Sequence, residues 1–445
     1  MTGETRVDVG HVLDDGRWGT YQMWLVFLTA LGIIFDGIDN QLLGIAIPSM
    51  MEEWSVARTA FSPVVSLGFV GMLVGGAAAG LAGDRFGRRT ALVGCMFTFG
   101  VTTMGAAIVG GPTELGLLRL LAGIGLGGAI PNAATLSAEY VPVRQRPFAV
   151  TLTIVCVPLG GMVAGLIAVP ALPSLGWRAL FALGGVVPVV AAVIYLRLLP
   201  ESPRFLARHP GRWPELETSL RRMGRDVPMN AVFEEGREAS GGRASVGLLF
   251  GEDLRRDTMG LWASFFSCLL AVYLAFSWLP SILTSAGLGP SIASAGITIF
   301  NLGGVIGAVA GGKLIARLGS RSTMLSMTAA GIVASMALSA MDIAAGASVA
   351  PIMVLLMIVG GLINAVQTTM YALAAHVYPT PVRATGVGSA AAFGRGGAIL
   401  TGYAGPWALA YAGSASFFVL VASALFVTFL GLALVRRHVP AGARA

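Results

Sequence analysis

The chain has 445 residues, 55% hydrophobic and 11% charged, with a mean hydropathy of +0.78. Soluble domains carry about 25% charged residues, so this composition excludes a soluble globular protein and indicates a polytopic membrane protein. Apolar runs of about 20 residues, in place of alternating 10-residue segments, exclude a β-barrel, and the net charge of +7, which in a soluble protein would suggest nucleic acid, reflects topology here.

In chain order, a polar tail (Met1 to Trp18) precedes an apolar run from Met23 to Pro48. At about 26 residues that run crosses a roughly 30 Å hydrocarbon core and is too long for a signal-peptide core, so it is expected to stay as a span. Eleven further runs make twelve predicted spans: about 23–47, 60–82, 90–109, 113–138, 147–170, 177–198, 258–286, 291–315, 322–341, 349–376, 385–410 and 413–435. Between spans 6 and 7 lies a polar segment with one helix-like piece, Pro214 to Met223. The expected organisation is a bundle with its tail over 1–199, a cytoplasmic linker over 200–257 and a second bundle with its tail over 258–445.

With the N-terminus placed in the cytoplasm, every Lys and Arg falls on that side except Arg58 and Arg178 outside and Arg119 and Arg395 within spans. That asymmetry predicts that both termini are cytoplasmic. Cys95, Cys156 and Cys268 lie in apolar runs, so neither a disulfide nor a metal site is expected. No metal, redox or phosphate-binding motif occurs; the chain reads as a non-enzyme without cofactor.

Two signals repeat. Gly80-x-x-x-Asp84-Arg85-x-Gly87-Arg88-Arg89 joins spans 2 and 3, and Gly312-x-x-x-Ala316-Arg317-x-Gly319-Ser320-Arg321 joins spans 8 and 9. Pro142-Val143-Arg144 after span 4 recurs as Pro381-Val382-Arg383 after span 10. Matching signals at matching places predict an all-α fold of twelve transmembrane helices in two pseudo-symmetric six-helix bundles. Secondary transporters are commonly built so, with a midplane site between the halves.

The Gly80–Arg89 stretch and Pro200-Glu201-Ser202-Pro203-Arg204 resemble signatures of the major facilitator superfamily. Within it, four features are similar to the aromatic acid:proton symporter family: Asp36-Gly37-Ile38-Asp39, the stretch from Arg119 to Pro131-Asn132, Trp278-Leu279-Pro280, and Arg383 to Gly388 with Gly394-Arg395. The resemblance covers nearly the whole chain. It implies proton-coupled uptake of benzoate-like or hydroxylated aromatic acids. The Gly-Pro exporter signature is missing from Thr151 to Pro170, which favours import.

Asp36 and Asp39 each cost on the order of 2.5–3.5 kcal/mol at the centre of a span, so they are expected to face protein or water. Three apart, they share a helix face and titrate as a coupled pair, which suits a proton carrier; the alternative is a structural salt bridge to an arginine. Arg119 lies at about the depth of Asp39, so the two are expected to pair, unless Arg119 snorkels outward. Arg395, about ten residues into span 11, needs an anion and suits a planar carboxylate. It is the first candidate to hold a substrate carboxylate, the alternative being a permanent pair with Asp36 or a carbonyl cluster. Glu139, at the end of span 4, joins the proton-coupling set and, by resemblance, a charge cluster that latches the inner gate with Gly80, Asp84, Arg85, Gly87, Arg88 and Arg89. Solvated loop charge is the alternative for Arg88 and Arg89. An aromatic acid also needs a flat apolar slot and a few polar contacts. Trp278, Tyr273, Asn301, Asn364, Gln367 and Tyr371 are the candidates, the last three sharing one helix face.

The expected mechanism is alternating access about a site made mainly by spans 1, 4, 7, 10 and 11. The expected partners are a small organic anion, protons and the lipid bilayer, without nucleic acid. The chain is expected to act as a monomer in a bacterial cytoplasmic membrane. Export of drugs or metabolites by proton antiport, symport of a non-aromatic organic acid, and a non-transporting sensor are the other readings.

Overall fold

A computed structural model describes residues 6–16, 18–225, 227–228, 231–235, 246–341, 343, 348–379 and 381–442. Arg17, Arg237, Arg243 and Arg444 of the charge count, and part of the expected linker, lie outside the described residues. The main helices are α1 (Val9–Asp14), α2 (Thr20–Trp54), α3 (Ser62–Phe86), α4 (Arg88–Ala106), α5 (Pro112–Tyr140), α6 (Arg146–Leu198), α7 (Pro203–Ala207), α8 (Trp213–Arg222), α9 (Arg255–Ser285), α10 (Pro290–Leu318), α11 (Ser320–Ala340), α12 (Val349–Val377) and α13 (Arg383–Leu434).

Among the described residues nine helical runs are long and apolar enough to cross a membrane. Two of them cross twice. α6 breaks at Gly176, whose φ of 75° only glycine adopts easily, and α13 breaks at Ala412–Gly413, with φ 63° at the glycine. α4, 19 residues long and richer in threonine, is the twelfth crossing. The first span runs on past its expected end. Pro48 sits inside α2 without ending it, because in lipid a neighbouring helix can support a proline-interrupted turn. Gly44, four residues earlier, lies against the Phe276 and Ser277 carbonyls of α9.

The repeat is visible in the packing. In the first half, a Cβ on Gly71 of α3 would strike the Leu120 carbonyl of α5, and one on Gly123 the Gly68 carbonyl. In the second half, Gly303 of α10 sits on the Met357 carbonyl of α12, and Gly360 on the Phe300 carbonyl. Small residues let backbones approach where lipid offers no hydrophobic drive to associate.

Both described tails meet the same end of the bundle. β1 (Arg6–Asp8) pairs in parallel with β2 (Val232–Glu234) of the linker, Arg6 opposite Val232, a small departure from an all-helical chain. Near the C-terminus, Val439 exchanges backbone and side-chain bonds of 2.9 Å with Ser320 at the start of α11. The two tails thus mark one end of the bundle, its terminal end. Among the described residues, several contacts that join the halves lie at mid-depth or toward the opposite end. Ser66 donates to the Ile399 carbonyl at 2.8 Å, Arg58 bonds Ser285, and Gly402 sits on the Ser62 carbonyl.

Candidate functional site

The motif around Asp36 is shaped by its glycine. Gly37 of α2 presses on the Val157 carbonyl of α6, and Gly160 of α6 presses back on Ile34. This close approach turns Asp36 and Asp39 into the protein, and both are fully buried. Asp39 has partners on both oxygens: Arg119 Nη1 at 2.9 Å on Oδ2 and the Thr103 hydroxyl on Oδ1. Arg119 is 5% exposed, so it does not snorkel. The match in depth brings it to Asp39.

Asp36 differs. Its Oδ2 accepts a long 3.3 Å bond from Asn40 Nδ2, which also bonds the Asp36 carbonyl at 3.0 Å. Its Oδ1 is buried without a partner. A buried carboxylate lacking donors is costly unless it takes up a proton or gains a cation.

Arg395 reaches from α13 across to the first half, where its Nη1 meets Met72 Sδ of α3 at 3.2 Å. Among the described residues no carboxylate lies within ion-pair distance of it and no carbonyl accepts from it, so neither a permanent pair with Asp36 nor a carbonyl cluster is present. A thioether is a weak acceptor, and Asp36, beyond ion-pair distance, is the carboxylate whose charge acts on the guanidinium. Met72 also walls a cavity of ≈ 20 Å³ with Asn40, Phe69, Arg119 and Ser277, room for about one water and far below the ~300 Å³ that small ligands need. Rings crowd the same region. Tyr273 lies 4.6 Å from Phe69 across the halves, and Tyr371 lies edge-on to Phe265 at 5.1 Å.

Three expected slot residues are turned away. Trp278 is fully buried in the α9–α13 contact, donates Nε1 to the Thr401 carbonyl at 2.9 Å and rests on Gly405. Asn364 bonds its own helix at Gly360 and packs on Gly304 of α10; Asn301 bonds Ile297 and packs on Gly161 of α6. Each fills a place that a facing glycine leaves open. Gln367 and Tyr371 are half-buried on α12, so the expected three-residue face is split by Asn364.

Glu139 is not brought to the aspartates. Twenty residues beyond Arg119 on α5, it is about 30 Å farther along the helix. There Ser202, Arg88 and Arg204 surround it, and its Oε2 has no partner. The remaining gate candidates gather nearby at the terminal end. Arg88 pairs with Asp84, which is 64% exposed, and reaches the Gly80 carbonyl at 3.5 Å; Arg85 covers the Phe86 ring at 5.3 Å. Gly87, at φ 100°, leaves room for Glu201, which accepts from the Arg89 N–H at 2.9 Å and closes the start of α4. Thr103, Asn40, Met72 and Glu201 were not singled out from sequence as site residues. Only Asn40, one place after Asp39, and Glu201, in the Pro200–Arg204 signature, carried a signal.

Two repeated bundles around a midplane charge cluster describe a fold class, and the sequence comparison specifies it: residues 29–347 and 261–445 match the Major Facilitator Superfamily model. The chain belongs to the Major Facilitator Superfamily. It is a transporter of that superfamily, not an enzyme. It is 33% identical over 393 residues to a gallate transporter of Pseudomonas putida, covering 88% of this chain and 87% of that protein. It is 33% identical over 410 residues to the 4-hydroxybenzoate transporter PcaK of the same species, covering 90% and 89%. Among solved structures, the partially occluded inward-open xylose transporter XylE of E. coli superposes with a TM-score of 0.73 at 17% identity, covering 93% and 97%, which bears on the fold alone.

Proposed function

We propose that this superfamily member imports an aromatic carboxylic acid, benzoate-like or hydroxylated, together with protons, across a bacterial cytoplasmic membrane. The observation that carries the substrate assignment is Arg395, a guanidinium at mid-depth whose hydrogen bond goes to a thioether beside Tyr273, Phe69 and Tyr371. Relatives that transport gallate and 4-hydroxybenzoate support the aromatic part of the reading.

Asp36 carries the proton in this scheme, and Asp39 holds Arg119 in place. Protonation of Asp36 from outside leaves Arg395 as the uncompensated charge, and the substrate carboxylate neutralises it. The two bundles, 1–199 and 258–445, then rock about the site as a monomer, with the linker 200–257 and both termini in the cytoplasm. The contacts at the end opposite the termini support reading this form as cytoplasm-facing. Substrate entry has to enlarge the ≈ 20 Å³ cavity by separating α3 from α13. One proton per monoanion is electroneutral, and one pH unit then supplies about 1.36 kcal/mol, a tenfold accumulation.

The test is uptake of labelled gallate, 4-hydroxybenzoate and benzoate into proteoliposomes under an imposed pH gradient. Accumulation that follows the gradient and collapses with a protonophore is expected. Absence of gradient-dependent uptake of every aromatic acid would overturn the proposal.

A further inference from the structure

A cleft of ≈ 460 Å³ opens at the terminal end, between the start of α4, the end of α6 and the linker helix α8. The transport scheme does not use it. Its volume is that of a small-molecule site, and its charged lining is unbalanced.

Arg89, Arg197 and Arg222 reach the cleft, with Glu201 and Glu215. Both carboxylates are already engaged. Glu201, 1% exposed, accepts from the N–H groups of Arg89 and Thr90 at 2.9 and 3.4 Å. Glu215 takes both bonds of a fork from Arg212, at 3.1 and 2.7 Å. The arginines are not matched in this way. Arg197 and Arg222 are exposed and form no ion pair among the described residues. Arg89 donates Nη2 to the Leu196 carbonyl, but its Nε is buried and unpartnered.

A second, independent feature leads into the same place. Along the last crossing of α6, Leu183, Val187, Val190 and Ile194 are each about half exposed, at 50, 45, 51 and 45%. Their spacing of three and four makes one row on the helix, and the next position in that row is Arg197. In a spanning helix this row faces acyl chains. It ends at the cleft, whose rim carries the exposed Leu196 and Leu198.

A phosphate bearing hydrocarbon chains satisfies both features at once. Guanidinium forks match phosphate oxygens, and basic pockets at the cytoplasmic surface of spanning helices take anionic headgroups. A free phosphate ion uses the arginines and leaves the row unexplained. We propose that this cleft binds the headgroup of an anionic phospholipid, with an acyl chain along the α6 row. The bound lipid joins α8 of the linker to α6 and to the start of α4.

The experiment uses the purified full chain, delipidated in detergent and titrated with dioleoyl phosphatidylglycerol or dioleoyl phosphatidylcholine. Retained lipid is counted by native mass spectrometry, and thermal unfolding is followed in parallel. Phosphatidylglycerol is expected to bind about tenfold more tightly than phosphatidylcholine, with the preference lost in Arg197→Gln/Arg222→Gln. Both residues lie on the surface, so the lipid-free variant is expected to elute and melt as the parent does. The single Arg222→Gln variant gives the same reading, at about threefold, if the double variant fails to fold. Equal retention of the two lipids by the parent, or an undiminished preference in the variants, overturns the proposal. Sodium phosphate or glycerol 3-phosphate giving the same stabilisation at the same concentration overturns the lipid assignment in favour of a soluble anion.

Discussion

Asp39 holds the Arg119 guanidinium at 2.9 Å, whereas Asp36, one turn earlier on the same face of α2, keeps an oxygen that no donor reaches. Two chemically identical residues three positions apart therefore have different surroundings. Removal of Asp39 strands a buried arginine, which typically costs about 3–5 kcal/mol. Neutralising Asp36 breaks no ion pair among the described residues and leaves only the more distant Arg395 charge to be compensated.

Asp39→Asn is accordingly expected to lower the melting temperature and membrane yield. Asp36→Asn is expected to fold like the parent and to lose accumulation driven by a pH gradient, while exchange of labelled for unlabelled substrate continues. Exchange and gradient-driven uptake measured side by side in proteoliposomes check this. Intact gradient-driven uptake in Asp36→Asn would place the proton elsewhere.

Arg395 and Met72 make a second pair to test. Arg395→Lys keeps the charge but loses the planar fork, so apparent Kd for an aromatic carboxylate is expected to rise about tenfold. Met72→Leu conserves volume, costs under about 1.5 kcal/mol of stability, and removes the thioether that the Arg395 guanidinium meets, with which substrate competes on the proposed function. A modest fall in Kd is expected, and it should vanish in the Arg395→Lys background. Calorimetric binding of 4-hydroxybenzoate to the four proteins reads the coupling directly.

The start of α4 offers a stability test. Glu201 closes it with a charge-assisted cap, an arrangement worth about 1 kcal/mol. Glu201→Gln is expected to lower the melting temperature in detergent by a few degrees, and Glu201→Ala by more. Equal melting of all three proteins would mean that the cap contributes nothing.

The end of the bundle opposite the termini is closed partly by contact of Gly402 with α3. A Cβ there meets Ser66 Oγ and the Ser62 carbonyl, so Gly402→Val should wedge α13 from α3. A reporter thiol at the cavity wall, Ser277→Cys, is then expected to react several-fold faster with an impermeant maleimide. Cys95, Cys156 and Cys268 are buried and contribute little background. An unchanged labelling rate would show that this contact does not hold the halves together.

The spans and the repeat were legible because lipid imposes a length on every crossing and the terminal loops repeat their charges. The Asp39–Arg119 pair was legible for a related reason: in a bundle of roughly parallel helices, position along the chain converts to depth. Rotation of a helix about its own axis has no such rule. Trp278 and Asn364 were expected on a cavity wall, and they turned toward Gly405 and Gly304 because those glycines leave space. Proximity of Met72 to Arg395 joins α3 to α13, and no local pattern announces a contact between residues that far apart in sequence.

By itself, the sequence determined that this protein is a twelve-span, two-bundle transporter with carboxylates and arginines at mid-depth, because hydropathy and charge are properties of single segments measured against the bilayer. Only the tertiary structure decided which carboxylate is already paired, which arginine has only a thioether, and which aromatic residues are occupied with packing. Those outcomes depend on how helices rotate and approach one another, and the glycine contacts that set that rotation come from both helices of each pair.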